Sequence, residues 1–287
     1  MEHKDPSQPL RQVLSGLPAW VSAQVLLKIQ KLISYEPVIG IMGKTGAGKS
    51  SLCNAMFAGE VSPISDVVAC TREPLCFSLQ VGERNMTLVD LPGVGESEYR
   101  DTEYAALYRK QLPHLDLVLW LIKADDRALG VDEHFYNQVI GEAYRHKVLF
   151  VISQADKAEP TSSGELLSTE QKQNISRKIC MLHELFRPVH PVCAVSVRAK
   201  WGLRVMAERM IRCLPREASS PVAVQLSAPL RTDTVNKKAR DDFGETVGSV
   251  LDTVSSMPLI PAPVRTVIQS MRDIVVSVAR AVWNFFF

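Results

Sequence analysis

The chain has 287 residues, of which 46% are hydrophobic and 22% are charged, and its formal net charge is +2. This balance is typical of a soluble globular protein, and so small a net charge gives no general argument for nucleic-acid binding. No apolar stretch reaches the roughly 20 residues of a membrane span, and the charged N-terminus carries no signal-peptide pattern. Six cysteines without a Cys-x-x-Cys pair favour reduced thiols in a cytoplasmic protein over zinc or disulfide sites.

An apolar pattern with helical spacing runs from Leu10 to Leu32 and is interrupted at residues 16–18. Pro37 ends this pattern, because the residue before a proline disfavours the helical conformation. The pattern therefore predicts a helical arm over residues 1–36.

Residues 43–50 read Gly-Lys-Thr-Gly-Ala-Gly-Lys-Ser and match the phosphate-binding pattern G-x-x-x-x-G-K-[ST]. The apolar run 37–42 predicts a buried strand before the motif and residues 51–57 predict a helix after it, which is the context that this motif requires. Backbone N–H groups of such a loop point at an anion, and the N-terminus of the following helix adds its dipole. Lys49 would reach the β- and γ-phosphates of a nucleotide, and the Ser50 hydroxyl would bind Mg²⁺. The predicted nucleotide-binding residues of this segment are Gly43, Lys44, Thr45, Gly46, Ala47, Gly48, Lys49, Ser50 and Ser51.

Two β-type runs, 75–81 and 86–90, are joined by a short polar link and predict a hairpin. The second run ends in Asp90-Leu91-Pro92-Gly93. An acidic residue at the tip of an apolar strand is where NTPases hold Mg²⁺, so Asp90 is a predicted metal partner. Gly93 would offer its backbone N–H to a γ-phosphate.

The apolar runs 117–122, 148–152 and 191–195 predict three more buried strands with helical patterns between them. Ser168 is the predicted N-cap of the helix that follows the second of these strands. The alternation of strands and helices predicts a mostly parallel, three-layer α/β domain over residues 37–214.

After residue 214, repeated Pro, Ser and Ala predict a linker over residues 215–232, and residues 233–287 are predicted as a C-terminal helical segment. From Val264 the apolar residues follow helical spacing, with arginines 265, 272 and 280 on the polar side. This helix either packs against the N-terminal helices or lies in a membrane interface. The first interpretation is favoured, because an amphipathic stripe more often faces protein.

With the phosphate loop, Thr71, Asp90-x-x-Gly93 and Asp156 in this order, the chain resembles the G-protein class of P-loop NTPases. Within that class it resembles the Era/TrmE-type bacterial GTPases, and more narrowly it is similar to the YfjP/YkfA-like prophage GTPases of enterobacteria. The resemblance implies the G-domain fold with a mostly parallel sheet, to which the N- and C-terminal segments add a helical annex. It also implies GTP and GDP as ligands, Mg²⁺ as the cofactor, GTP hydrolysis as the activity and a cytoplasmic location.

The resemblance assigns roles residue by residue. Lys49, Thr71 and Gly93 would be catalytic, and Ser50, Thr71 and Asp90 would hold the metal. Asp156 would read guanine, because one carboxylate accepts hydrogen bonds from both N1–H and the 2-amino group of that base. The predicted base-binding residues are Gln154, Asp156, Ser196 and Val197.

Three positions depart from the family pattern. Gln154 stands where the guanine motif usually has a lysine, which predicts weaker nucleotide binding. Val94 follows Gly93, where Ras-like enzymes have a glutamine that orients water, so slow intrinsic hydrolysis is expected. Gly46 stands where the TrmE type has the asparagine that helps to bind K⁺, which argues against K⁺ activation.

The favoured function is a molecular switch that acts through a protein partner which the sequence does not identify. The alternative is a non-hydrolysing guanine-nucleotide module of the dynamin-like or immunity-related kind, which anchors or scaffolds at the membrane. A homodimer through the G domain and peripheral contact with the inner membrane through the last helix stay open. RNA is disfavoured, because residues 215–287 hold eight Lys/Arg against seven Asp/Glu and no G-x-x-G loop.

Overall fold

The structure is a computed structural model that describes residues 7–63, 75–81, 84–94, 98–160 and 166–287. The chain divides into two compact units. The sheet unit comprises Pro37–Leu214 and Gln225–Thr232, and the helical unit comprises Met1–Glu36, Pro215–Val224 and Asp233–Phe287.

The strands are β1 (Val38–Gly43), β2 (Glu60–Pro63), β3 (Leu75–Val81), β4 (Arg84–Leu91), β5 (Leu117–Lys123), β6 (Val148–Ser153) and β7 (Cys193–Ala194). The α-helices are α1 (Gln8–Leu14), α2 (Ala19–Ile33), α3 (Lys49–Met56), α4 (Glu98–Gln111), α5 (Gly130–Phe135), α6 (Gly141–Tyr144), α7 (Thr169–Phe186), α8 (Leu203–Cys213), α9 (Arg216–Gln225), α10 (Asp233–Ser255) and α11 (Ala262–Phe286).

The seven strands of the described residues form one sheet in the order β2-β3-β4-β1-β5-β6-β7. Five strands, namely β4, β1, β5, β6 and β7, are parallel to one another. Strand β3 runs antiparallel to β4, and β2 runs antiparallel to β3. The predicted mostly parallel α/β fold and the predicted hairpin are therefore confirmed. Because the carboxyl ends of parallel strands meet at one edge of a sheet, the loops that follow β1, β4, β5 and β6 meet there.

Buried side chains explain why β5 and β6 read as continuous apolar runs. All the residues of β6, and all of β5 except Lys123, are buried or nearly so, as expected of a sheet covered on both faces. On one face, Trp120 packs edge-on against Tyr136, and the ring centroids of Phe150 and Phe186 lie 4.6 Å apart. This aromatic cluster forms part of the core beneath the carboxyl edge of the sheet.

The last strand is shorter than its apolar run. Residues 191–195 predict a five-residue strand, but only Cys193 and Ala194 pair with β6. Pro191 lacks the N–H that an edge pairing would use. The backbone after Ala194 still follows the sheet, because the Val195 N–H donates to the Ile152 carbonyl at 2.8 Å.

In the helical unit, α10 packs along α11, while α2 contacts α10 and α1 contacts α11. The break that the sequence predicts in the N-terminal arm separates α1 from α2. The predicted helical annex from both chain ends is therefore present. In the described residues, no helix has the length and apolar character that crossing a bilayer requires.

Residues 215–232 are not a simple connection, since they contain α9 and a 3-10 turn at Ala228–Leu230. Their Ser, Ala and Pro content predicts a linker, but Ala218 and Val222 are fully buried. They lie four residues apart on one face of α9, and their burial outweighs the poor helix propensity of Pro221. The domain boundaries proposed from the sequence therefore include a packed helix at this point.

Two arginines on the polar side of α11 form ion pairs with α10, while their side chains stay 30% exposed at Arg272 and 37% exposed at Arg280. Arg280 donates to Glu245 on α10 at 2.8 Å, and Arg272 donates to Asp252 at 3.1 Å. Arg280 crosses α10 at Gly244, where an added Cβ would lie 2.7 Å from the Arg280 Cγ atom. Gly244 and Gly248 form a G-x-x-x-G pattern in α10, and a Cβ at Gly248 would likewise lie 2.8 Å from Arg272 Nη2. Both glycines therefore allow α11 to pack closely within this unit.

Candidate functional site

The phosphate loop connects the buried strand β1 to helix α3. Gly48, the N-cap of α3, has φ +86°, a conformation that residues with a Cβ rarely adopt. Ala47 is buried and its N–H donates to the Lys44 carbonyl, which closes the loop. The side chains of Thr45 and Ser51 are exposed. The loop therefore presents its backbone and the N-terminus of α3 toward solvent, as anion binding requires.

Lys49 and Asp90 meet beside this loop. The Lys49 ammonium donates to the Gly43 carbonyl at 3.0 Å and lies 3.4 Å from Asp90 Oδ1. Burial raises the pKa of the Asp90 carboxyl, and the charge of Lys49 opposes that rise. Lys49 is thus held over the loop by weak contacts that a phosphate would replace with stronger ones.

A cavity of about 170 Å³ lies next to this pair and is lined by Ser50, Asp90 and Phe77 among others. Asp90 Oδ1 is buried and, among the residues that the structure describes, has no hydrogen-bond partner besides the ion pair with Lys49. A buried carboxylate oxygen beside a serine hydroxyl is a donor set that suits Mg²⁺. The residues present therefore fit the expected metal. Thr71, the third predicted metal ligand, lies outside the described residues.

Gly93 packs directly on the phosphate loop. A Cβ at this position would lie 2.6 Å from both the Gly43 carbonyl oxygen and the Lys44 Cα atom. Only glycine allows this approach of backbone to backbone. The segment after β4 therefore lies against the beginning of the phosphate loop.

The predicted base-binding residues come from two loops at the ends of β6 and β7. Asp156 lies in the 3-10 turn Ala155–Lys157, and its Oδ1 accepts a hydrogen bond from the Ser196 hydroxyl at 2.6 Å. Ser196 is fully buried, and its hydroxyl oxygen accepts from the Ala199 N–H at 3.0 Å. Val197 follows it in a turn and is half-buried. Ser196 thus orients the Asp156 carboxylate and leaves Oδ2 for a ligand.

Gln154 contacts the phosphate loop. Its backbone is left-handed, with φ +52°, and its side-chain amide donates to the Gly46 carbonyl at 2.6 Å. The same amide lies 3.4 Å from the position that a Cβ on Gly48 would take. Gln154 therefore joins the turn that carries Asp156 to the phosphate loop, although its side chain is shorter than the lysine that the guanine motif usually has here.

Two residues at the start of α7 support the turn that carries Asp156. Ser168 and Gln171 form the capping box of α7, as the sequence suggests for Ser168. The Gln171 amide also donates to the carbonyls of Asp156 and Ala158, both at 3.0 Å. The side chain that caps α7 therefore also fixes the turn that carries Asp156.

The side chain of Lys44 points away from the rest of the phosphate loop, whose predicted binding groups are backbone N–H groups. Its ammonium lies 3.0 Å from Asp126 Oδ2 and 3.0 Å from Asp132 Oδ2. Both aspartates follow β5, in a segment for which the sequence predicts no site. Neither belongs to a recognisable motif, so a structure is needed to find this contact.

The family model described as 50S ribosome-binding GTPase matches residues 38–154. Over the full length of both chains, the sequence is 76% identical to uncharacterized protein YfjP and 73% identical to uncharacterized protein YkfA, both from Escherichia coli (strain K12). Among solved structures, Era in complex with MgGDPNP and nucleotides 1506–1542 of 16S ribosomal RNA is similar, with a TM-score of 0.46 and 20% identity over 67% of this chain and 68% of that one. The similarity to YfjP and YkfA spans both the sheet unit and the helical unit.

Proposed function

Because the chain belongs to the Era-type P-loop GTPases, we propose that it is a Mg²⁺-dependent guanine-nucleotide switch that hydrolyses GTP slowly. The observation that carries the proposal is the meeting of Lys49 with Asp90 beside the phosphate loop, 3.4 Å apart. The turn with Asp156 is joined to the same loop through Gln154. Groups for phosphate, metal and base therefore share one edge of the sheet.

At the phosphate end, backbone N–H groups of the loop and of the first turn of α3 would bind the β-phosphate, and Lys49 would neutralise charge that develops on the γ-phosphate. Ser50, Asp90 and Thr71 would hold Mg²⁺, which when bound supplies positive charge to the phosphate oxygens. The Gly93 N–H would bind the γ-phosphate only while it is present. That contact would make the closed state depend on GTP.

At the base end, the free oxygen of Asp156 would accept hydrogen bonds from guanine. Adenine has neither donor at the corresponding edge. The hydrogen bond from Ser196 supports this role, because it fixes the carboxylate before a base arrives.

We expect Asp156→Ala to remove the preference for guanine over adenine nucleotides. The lost charge-assisted contacts should cost about 1.5–3 kcal/mol, which is roughly 10- to 100-fold in affinity for GDP. Calorimetric titration with GDP and ADP measures both values. Asp273→Ala, a change of the same kind at a side chain that is 96% exposed in the helical unit, should leave both unchanged. A folded Asp156→Ala protein that still prefers GDP would assign base recognition to another residue.

Intrinsic hydrolysis should be slow, about 10⁻⁴–10⁻² s⁻¹, as in unassisted G proteins. Val94 is only 2% exposed and packs in the core next to Leu91, so this position neither offers a polar group nor faces a substrate water. Single-turnover hydrolysis of GTP in K⁺ and in Na⁺ buffers tests this expectation. Fast turnover that requires K⁺ would contradict both the argument from Val94 and the argument from Gly46.

As a switch, the protein would act on a protein partner that binds only one nucleotide state. The packing of α11 on α10 and α1 favours this function over a membrane scaffold, because six residues of α11, Trp283 and Val275 among them, are buried within the helical unit. A pull-down from host lysate with GDP-loaded and GTP-analogue-loaded protein would identify the partner.

A further inference from the structure

Lys44, the second residue of the phosphate loop, directs its side chain toward the segment after β5. Its ammonium donates to Asp126 Oδ2 at 3.0 Å and to the Ala128 carbonyl at 2.7 Å. It also lies 3.0 Å from Asp132 Oδ2. Two of its protons are therefore donated to Asp126 and Ala128, and the carboxylate of Asp132 adds an ion pair.

The charges around Lys44 hold it in this place. The side chain of Asp132 is 5% exposed and that of Asp126 is 13% exposed, so solvent screens the pairs only weakly. Burial lowers the pKa of Lys44, but its hydrogen bonds to Asp126 and Asp132 and their charges outweigh burial, and the pKa is raised. Lys44 is therefore charged and faces two carboxylates.

The segment that receives Lys44 is itself fastened to the core. The Lys178 ammonium of α7 donates to the carbonyls of Lys123, Ala124 and Asp126, at 2.7, 2.9 and 2.6 Å. Asp132 Oδ1 accepts from the indole N–H of Trp120, at 3.4 Å. Trp120 belongs to the aromatic cluster under the sheet edge. Lys44 thus connects the phosphate loop to a well-anchored part of the fold.

The phosphate loop is thereby held at two places. Lys44 fixes its beginning, where the backbone of Gly93 also packs. Gln154 fixes its middle through the Gly46 carbonyl. A loop whose N–H groups already converge loses less conformational entropy when a phosphate binds, and this gain in affinity is independent of what lies beyond the β-phosphate.

We propose that Lys44 is a positioning residue, and that its ion pairs with Asp126 and Asp132 preorganise the phosphate loop for nucleotide binding. The proposal rests on the proposed function, since it names a group that supports the same site. The alternative is that the Lys44 side chain binds phosphate directly, which the sequence-based prediction of a loop that binds phosphate through its backbone does not require. The two roles predict opposite effects when Asp132 loses its charge.

The test measures the dissociation constants of GDP and GTP by calorimetry for the full-length wild type, Lys44→Met, Asp132→Asn and the double variant. We expect each single variant to raise the dissociation constants of GDP and GTP equally, by roughly tenfold. The double variant should be no weaker than the weaker single variant, because both changes break one connection. It removes the charge of Asp132, the more buried of the two carboxylates, together with that of Lys44, so it reports the effect even if Lys44→Met alone does not fold. Lys110→Met, at an exposed lysine of α4, should bind like the wild type.

Three results would overturn the proposal. If Asp132→Asn binds GDP as tightly as the wild type or more tightly while Lys44→Met binds it weakly, the lysine contacts phosphate directly. If the folded variants melt earlier but bind with unchanged constants, the ion pairs are structural only. A folded wild type that binds neither GDP nor GTP would overturn the proposed function as well, whereas the first two results would leave it standing.

Discussion

Replacing Lys49 with alanine should abolish productive binding of GTP while the protein stays folded. The Lys49 side chain is the cation placed to reach the β- and γ-phosphates, and a charge-assisted hydrogen bond contributes about 1.5–3 kcal/mol. Loss of contacts to two phosphate groups should therefore lower the affinity for GTP by about 100-fold or more. Within the described part of the chain, the polar contacts of the Lys49 ammonium are one carbonyl, that of Gly43, and the partly exposed carboxylate of Asp90, so the cost to folding is small.

Calorimetry with GTP and thermal melting without nucleotide measure the two quantities separately. Lys110→Ala is the matched control, because it removes an exposed lysine from the same unit. A folded Lys49→Ala protein with normal GTP affinity would mean that the loop is a structural turn and not a phosphate site.

Deletion of residues 262–287 should unfold or aggregate the protein, with or without lipid vesicles. Six residues of α11 are buried, namely Ile268, Val275, Val276, Ala279, Val282 and Trp283. Large apolar side chains each contribute about 1.5–3 kcal/mol when buried, so losing several removes an amount comparable with the 5–15 kcal/mol that typically stabilises a domain. The deletion also removes the hydrogen bond from the Trp283 indole to the Ser220 hydroxyl, at 2.9 Å.

Two neighbouring residues of α11 separate packing from membrane anchoring. Val275 is fully buried, whereas Ile274 is 56% exposed. If the helix packs, Val275→Ala should lower the free energy of unfolding by about 1–3 kcal/mol, and Ile274→Ala should change it by less than about 0.5 kcal/mol. Urea unfolding gives both values. A soluble, stable truncation that has lost only co-sedimentation with anionic vesicles would contradict the packing interpretation and support an interfacial anchor.

The parts of the fold that the sequence predicts well are those specified by local pattern. The buried run of β1, the glycine-rich loop and the start of α3 are contiguous, so residues 38–56 indicate their own structure. The hairpin of β3 and β4 and the capping box at Ser168 are equally local. The edge where these loops meet then follows from parallel strand order.

Long-range contacts account for what the sequence does not predict. Lys44 fits the phosphate motif, but its partner Asp132 lies 88 positions away, and no spacing rule connects them. Helix α9 has the composition of a linker and forms because tertiary burial of Ala218 and Val222 overrides weak propensity. In α11 the arginines follow the polar side of a helical wheel, yet Arg280 pairs with Glu245 because Gly244 allows close approach.

Calorimetric titration of the full-length protein with GDP, GTP and ATP in the presence of Mg²⁺ tests the guanine-nucleotide switch most directly. A site built from Lys49, Asp90 and Asp156 should bind GDP and GTP and prefer both to ATP by roughly tenfold or more, since adenine lacks the donors that Asp156 accepts. Removal of Mg²⁺ with a chelator should lower the affinity for GTP, because the metal neutralises charge on the phosphate oxygens of the nucleotide. Equal affinity for ATP and GTP, or no binding of either by the folded protein, would contradict the account.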